Sequence, residues 1–137
     1  MDKDVLKAKL EALSRCIARI KGRTPKSSNE LKNDYDLQDI ISVNLERAVQ
    51  VSVDIASHIA ADFPEESIKT MGDAFTALAK HNIIPTSLAQ NMIKAVGFRN
   101  ISVHQYQSIN WEIVYSIVTK NLTDFSQFAE AIFKKVQ

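Results

Sequence analysis

Four side chains that could bind or act on a substrate lie within one stretch of eight residues: Arg99, Asn100, His104 and Tyr106. Asn100 and His104 are four residues apart, so on a helix they share one face and their side chains can touch. Arg99 lies roughly 140° around the helix from His104, but its long side chain can reach toward the same patch. The group combines a cation, an imidazole that can move a proton near neutral pH, and an amide that can orient it. This set suits a phosphodiester and needs no metal.

The order Arg-Asn, three residues, His, one residue, Tyr resembles the motif of the HEPN superfamily, in particular its HepT-like toxins. The resemblance extends loosely over most of the chain and includes the segment 45–48, Leu-Glu-Arg-Ala. It implies a small all-helical toxin of a type VII-like toxin–antitoxin system that cleaves RNA as a homodimer. It also implies a cognate MntA-like minimal nucleotidyltransferase as the antitoxin partner.

RNA is a fitting substrate because its 2′-hydroxyl is an internal nucleophile beside each phosphate. His104 can transfer protons, Arg99 can hold phosphoryl oxygens in its fork of donors, and Asn100 can orient the imidazole or stabilise developing charge. The products would be a 2′,3′-cyclic phosphate and a 5′-hydroxyl. In-line cleavage works best with a second proton-transfer group on the opposite side. One His104 per chain cannot supply both, so we predict a homodimer with its catalytic site in a cleft between protomers.

Tyr106 has a separate role that only the resemblance implies. In HepT-like toxins the motif tyrosine is an acceptor for AMP from the partner nucleotidyltransferase. Phosphate added beside Arg99 and His104 would occupy the anion site and repel an RNA backbone. Modification of Tyr106 would therefore silence the nuclease chemically.

Composition predicts one ordinary globular domain over residues 1–137. Apolar residues make up 45% of the chain and charged residues 24%, and three glycines with three prolines disfavour a many-turned β fold. We predict an all-α, up-and-down bundle of about five helices. The predicted helices cover about 3–21, 36–61, 70–81, 87–104 and 111–135, and residues 22–35 are a loop. Gly22 is the predicted glycine just past the first helix, and 70–73 and 87–90 are candidate capping boxes.

Several classes of protein are excluded by what the sequence lacks. No apolar run approaches the roughly 20 residues that span a bilayer, and no signal peptide is recognisable, so we expect a cytoplasmic protein without membrane contact. A single cysteine, Cys16, and three dispersed histidines have no metal-ligand spacing. We therefore expect no metal site. There is no glycine-rich phosphate loop, so ATP binding by that route is disfavoured, and we expect no cofactor.

Charge is uneven although the net charge is only +1. Within residues 1–26, eight basic residues oppose three acidic ones, which makes this segment +5 and the remainder −4. A basic first helix could face phosphates, and it could equally be a solvated, lysine-rich face. The sequence leaves both interpretations open.

Alternatives to the toxin hypothesis also remain. His104 could simply interact with the negative end of its helix dipole. The chain could be a non-catalytic nucleotide- or RNA-binding subunit that partners a nucleotidyltransferase, or a plain helical interaction protein. We expect His58 and His81 to be structural or exposed and Cys16 to be a small buried hydrophobe, and we expect Trp111 and the phenylalanines to lie in the core or a dimer interface.

Overall fold

The computed structural model describes residues 2–137, and every regular element in that range is helical. The α-helices in chain order are α1 (Lys3–Arg23), α2 (Ser28–Lys32), α3 (Tyr35–Ala60), α4 (Met71–Lys80), α5 (Thr86–His104), α6 (Trp111–Ser116) and α7 (Leu122–Val136). A 3-10 turn (Tyr106–Ser108) follows α5, and a π-helical turn (Ile117–Asn121) joins α6 to α7. The prediction of an all-α helical bundle is confirmed.

Local capping explains where several helices begin. Asp2 accepts hydrogen bonds from the amides of Asp4 and Val5 at 3.0 and 3.2 Å, and the Asn110 side chain caps α6 in the same manner. The predicted capping box at the start of α4 is present: the Asp73 amide donates to the Thr70 hydroxyl, and the Asp73 carboxylate accepts from the Thr70 amide. Hydrogen bonds from the backbone of residues 69 and 70 hold the pKa of Asp73 below its usual value.

Three local predictions were wrong. The segment 22–35 is not wholly a loop, because it contains α2, which is capped by the Ser27 hydroxyl and anchored by fully buried Leu31. Gly22 lies inside α1, which continues to Arg23. Pro25 explains the end, since the residue before a proline is disfavoured in helical conformation. Ser87 does not cap α5; it lies inside that helix, which begins after Pro85.

The core is formed by stripes that recur at helical spacing. The whole predicted stripe of α1 is buried, namely Leu6, Leu10, Leu13, Ile17 and Ile20. Helix α3 is central and packs against α1, α4 and α5, while α7 packs against α1 and α5. Phe75 of α4 and Phe128 of α7 meet edge to face with ring centroids 5.6 Å apart. One hydrophobic cluster therefore joins α4 to α7 as well as α1 to α3.

The predicted final helix is interrupted by its π turn. The Thr119 hydroxyl donates to the Tyr115 carbonyl at 2.7 Å beside this turn. A π turn inserts one extra residue and so changes which side chains face the neighbouring helix. Within residues 2–137, no helix is both long enough and apolar enough to cross a membrane.

Candidate active site

The predicted motif lies at the C-terminal end of α5 and in the turn that follows it. His104 is the last residue of α5, and Gln105 leaves the helical conformation with φ −140° while its amide donates to the Ile101 carbonyl at 2.7 Å. The 3-10 turn then carries Tyr106, and Ile109 returns the chain to the core. The motif is therefore presented at an exposed helix end and held by a short, hydrogen-bonded turn.

Arg99 and Asn100 contact each other directly. The Arg99 Nη1 donates to the Asn100 Oδ1 at 3.4 Å, so the amide faces the guanidinium. His104 is exposed and has no hydrogen bond or ion pair within residues 2–137. The sequence predicted that Asn100 could orient His104, and in this single chain it contacts Arg99 instead. The imidazole nitrogens are consequently open to a ligand.

Tyr106 is held from two sides and still exposes 43% of its surface. Its hydroxyl donates to the Asp39 Oδ1 of α3 at 2.9 Å, and its ring meets Trp111 edge-on with centroids 6.0 Å apart. Partial burial raises the pKa of Tyr106, and the neighbouring carboxylates of Asp39 and Glu46 raise it further. A hydrogen bond with Ser42 acts in the opposite direction. Tyr106 is thus a neutral phenol with a fixed hydroxyl that solvent can reach.

The acidic side of the site comes from α3, and the sequence alone did not predict it. Asp39 and Glu46 are seven residues apart, so they lie on one face of α3, two turns from each other. Asp39 binds Tyr106, and Glu46 accepts a hydrogen bond from the Ser102 hydroxyl. The available signal was this pair of carboxylates at heptad spacing, which places both on one face of α3.

An apolar groove of about 590 Å³ lies beside the motif. It runs between α5 and the α6–α7 segment, and Phe98, Ile101, Ile113 and Ile117 are among the residues that line it. Ile101 and Ile113 expose 47% and 55% of their surfaces. Ile101 follows Asn100 in α5, so the groove adjoins the motif along that helix.

Potential metal ligands gather elsewhere. Over residues 2–137, the one group of three or more such side chains with ligand atoms within 4.8 Å of one another is Glu65, Glu66 and His81. His81 stacks on Phe63 with centroids 3.7 Å apart, and its Nε2 lies 3.1 Å from a Glu66 oxygen. This cluster joins the α3–α4 connection to the end of α4 and contains no motif residue.

The remaining sequence candidates have structural surroundings. His58 accepts a hydrogen bond from the Asp2 amide at 3.1 Å. Cys16 is buried, and that burial raises the pKa of its thiol against the opposing effect of nearby arginines. Of the eight basic residues in segment 1–26, all are exposed except Lys9, which is partly buried and lies 3.7 Å from Asp54. Helix α1 packs on α3 and α7, whereas the motif belongs to α5.

Known proteins are similar to this chain over most of its length. A family model described as "Ribonuclease HepT-like" matches residues 13–132. An mRNA nuclease HepT of Shewanella oneidensis is 38% identical over 94% of this chain and 96% of its own length. A tRNA nuclease HepT of Aphanizomenon flos-aquae is 24% identical over 93% of this chain and 87% of its own length.

A solved structure extends that similarity to the fold. It describes a tri-AMPylated Shewanella oneidensis HEPN toxin in complex with its MNT antitoxin. This chain is 37% identical to that toxin, and the two structures superpose with a TM-score of 0.88. The match covers 98% of this chain and 99% of the toxin chain.

Proposed function

This chain belongs to the HepT-like ribonuclease family, and on that premise we propose that it is a metal-independent endoribonuclease and the toxin of a toxin–antitoxin pair. The observation that carries the proposal is the gathering of Arg99, Asn100, His104 and Tyr106 at one exposed helix end. Residues 1–137 form one domain, which the shared core of the helices supports. We place that domain in the cytoplasm.

The proposed chemistry uses only side chains and the RNA itself. His104 exchanges a proton with the 2′-hydroxyl or the 5′ leaving oxygen, for which its unpartnered ring is suited. Arg99 binds the phosphoryl oxygens, where negative charge accumulates in the transition state. Asn100 keeps Arg99 near the phosphate through the contact at 3.4 Å. The products are a 2′,3′-cyclic phosphate and a 5′-hydroxyl.

A homodimer completes this site. One His104 per chain serves one side of an in-line reaction, and a two-fold axis beside the motif brings the second imidazole to the other side. The apolar groove supports this arrangement, because Ile101 and Ile113 expose an apolar surface directly next to the motif. A second copy of the chain buries that surface and forms the catalytic cleft at the same time.

A cognate MntA-like nucleotidyltransferase neutralises the toxin by transferring AMP to Tyr106. The Shewanella oneidensis toxin of the solved complex is AMPylated and bound to its MNT antitoxin. The same role is supported here by two features of Tyr106: its side chain is exposed, and it follows His104 by only two residues. Added phosphate beside Arg99 excludes RNA by occupying the anion site.

Cleavage of RNA by the purified protein tests the nuclease proposal. We expect the wild-type chain to cleave in the presence of a metal chelator, and we expect His104→Ala and Arg99→Ala to lose at least about 100-fold in rate. His58→Ala is the matched control, because it removes a histidine remote from the motif in sequence. Equal cleavage by the wild type and both motif variants would refute the nuclease. RNA binding that depends on Arg99 without any cleavage would instead identify a non-catalytic binding subunit.

A further inference from the structure

Asp39 of α3 holds the Tyr106 hydroxyl in place, and it is also positioned to accept the proton of that hydroxyl. The Tyr106 hydroxyl and the Asp39 Oδ1 are 2.9 Å apart, and the tyrosine is the donor because an ionised carboxylate only accepts. Both side chains are exposed, so a nucleotide bound to another protein can approach the hydroxyl while this bond stays intact.

The other groups around Tyr106 do not compete for this role. Glu46, the other carboxylate that acts on Tyr106, is bound by the Ser102 hydroxyl of α5. Ser42 contributes only a hydroxyl, and Trp111 packs its ring against the tyrosine ring. Asp39 is therefore the carboxylate whose oxygen meets the phenolic proton.

AMP transfer to a tyrosine requires that proton to leave. A neutral phenol is a weak nucleophile, and the surroundings of Tyr106 raise its pKa, so little phenolate forms at neutral pH. A base within about 2.6–3.2 Å of the proton meets the geometric requirement for general base catalysis. Asp39 meets that requirement before any partner binds.

We propose that Asp39 is the general base for AMP transfer to Tyr106, so that the toxin contributes a catalytic residue to its own neutralisation. The proposal rests on the proposed function, since it requires Tyr106 to be the acceptor. The phenolic oxygen attacks the α-phosphorus of ATP, and its proton moves to the Asp39 carboxylate. The bond from the α-phosphorus to the bridging oxygen breaks, and pyrophosphate leaves with the electron pair. Asp39 then returns the proton to water.

The test follows AMP incorporation by intact-mass spectrometry with saturating cognate nucleotidyltransferase and ATP. We compare the wild type with Asp39→Asn, which cannot accept the proton, and Asp39→Glu, which can. Asp36→Asn is the matched control because it removes an exposed carboxylate one turn earlier on α3. We expect Asp39→Asn to slow modification at least about tenfold at neutral pH, Asp39→Glu to stay within about threefold, and Asp36→Asn to match the wild type.

The pH profile separates a base from a merely structural residue. Without Asp39 the reaction depends on phenolate, so the rate of Asp39→Asn should climb as pH rises toward about 10, while the wild-type rate stays nearly level. Modification of Asp39→Asn at the wild-type rate, or slowed by one factor at every pH, would overturn the proposal. Tyr106→Phe separates failure of the acceptor assignment from failure of the general-base assignment. If Tyr106→Phe still gains AMP, Tyr106 is not the acceptor. If Tyr106→Phe gains none while Asp39→Asn is modified at the wild-type rate, only the role of Asp39 as general base is refuted.

Discussion

The Ser102 hydroxyl donates a hydrogen bond to the Glu46 carboxylate and so ties the motif helix α5 to the central helix α3. Ser102 exposes only 3% of its surface, although its neighbours Ile101 and Val103 are exposed. It stands between Asn100 and His104 in the chain. The bond therefore holds the motif-bearing end of α5 at a defined rotation against the core.

Replacing Ser102 by alanine should destabilise the fold by about 1–2 kcal/mol, because a hydrogen bond to a charged partner is lost at a buried position. Equilibrium urea unfolding measures the change. Ser57→Ala, at an exposed position of α3, controls for the better helix propensity of alanine. Equal free energies of unfolding for the two variants would show that the Ser102–Glu46 hydrogen bond gives no net stabilisation.

A charge in the apolar groove should separate the proposed dimer. Ile101→Glu places a carboxylate on an exposed surface, so the monomer stays folded while self-association weakens at least about tenfold. Light scattering after gel filtration measures the oligomeric state, and RNA cleavage should fall in parallel. Phe133→Glu is the control, because Phe133 is also 49% exposed but lies beside α1 and away from the groove. A dimer that survives Ile101→Glu unchanged would argue against this surface as the interface.

The titration of Tyr106 should depend on Asp39. Burial and the nearby carboxylates raise the pKa of Tyr106, so Asp39→Asn should lower it toward the ordinary value near 10. The ultraviolet absorbance of the wild type minus that of Tyr106→Phe isolates this tyrosine from Tyr35 and Tyr115. Because the folded pKa is raised, the neutral phenol stabilises the fold below the unfolded pKa, and that contribution is lost as pH rises through the folded pKa. An unchanged titration in Asp39→Asn would contradict the assigned cause.

Cys16 should behave as a buried apolar residue and not as a nucleophile. Its thiol is buried and its pKa is raised, so little reactive thiolate is present near neutral pH. We expect the native protein to react with iodoacetamide at least about tenfold more slowly than free cysteine, and the urea-unfolded protein to react at the ordinary rate. Native labelling as fast as that of free cysteine would show that Cys16 is accessible.

The helical stripes explain why so much of the fold could be predicted. Leu6, Leu10 and Leu13 recur at helical spacing, and such a stripe has to be buried somewhere. The short helix α2 escaped prediction because its five residues, four polar or charged ones and one leucine, carry no periodic signal. The π turn escaped as well, since a single inserted residue leaves the apolar spacing of the last helix nearly intact.

The candidate site also has a part that the sequence predicts and a part that it does not. Arg99, Asn100, His104 and Tyr106 are neighbours along the chain, so the local sequence was sufficient to group them, and the family resemblance rests on the same residues. Asp39 is 67 residues from Tyr106, and Glu46 is 56 residues from Ser102. Nothing in the sequence alone marks either pair as a contact.

The sequence alone was sufficient to predict the helices, the buried stripes and the identity of the motif, because each depends on spacing within one segment. The tertiary structure decided which acidic side chains meet the motif and that Asn100 faces Arg99 in the isolated chain. The physical reason is that these contacts depend on the rotation and depth at which α5 packs against α3. That packing is determined jointly by side chains far apart in the chain, and no local pattern records it.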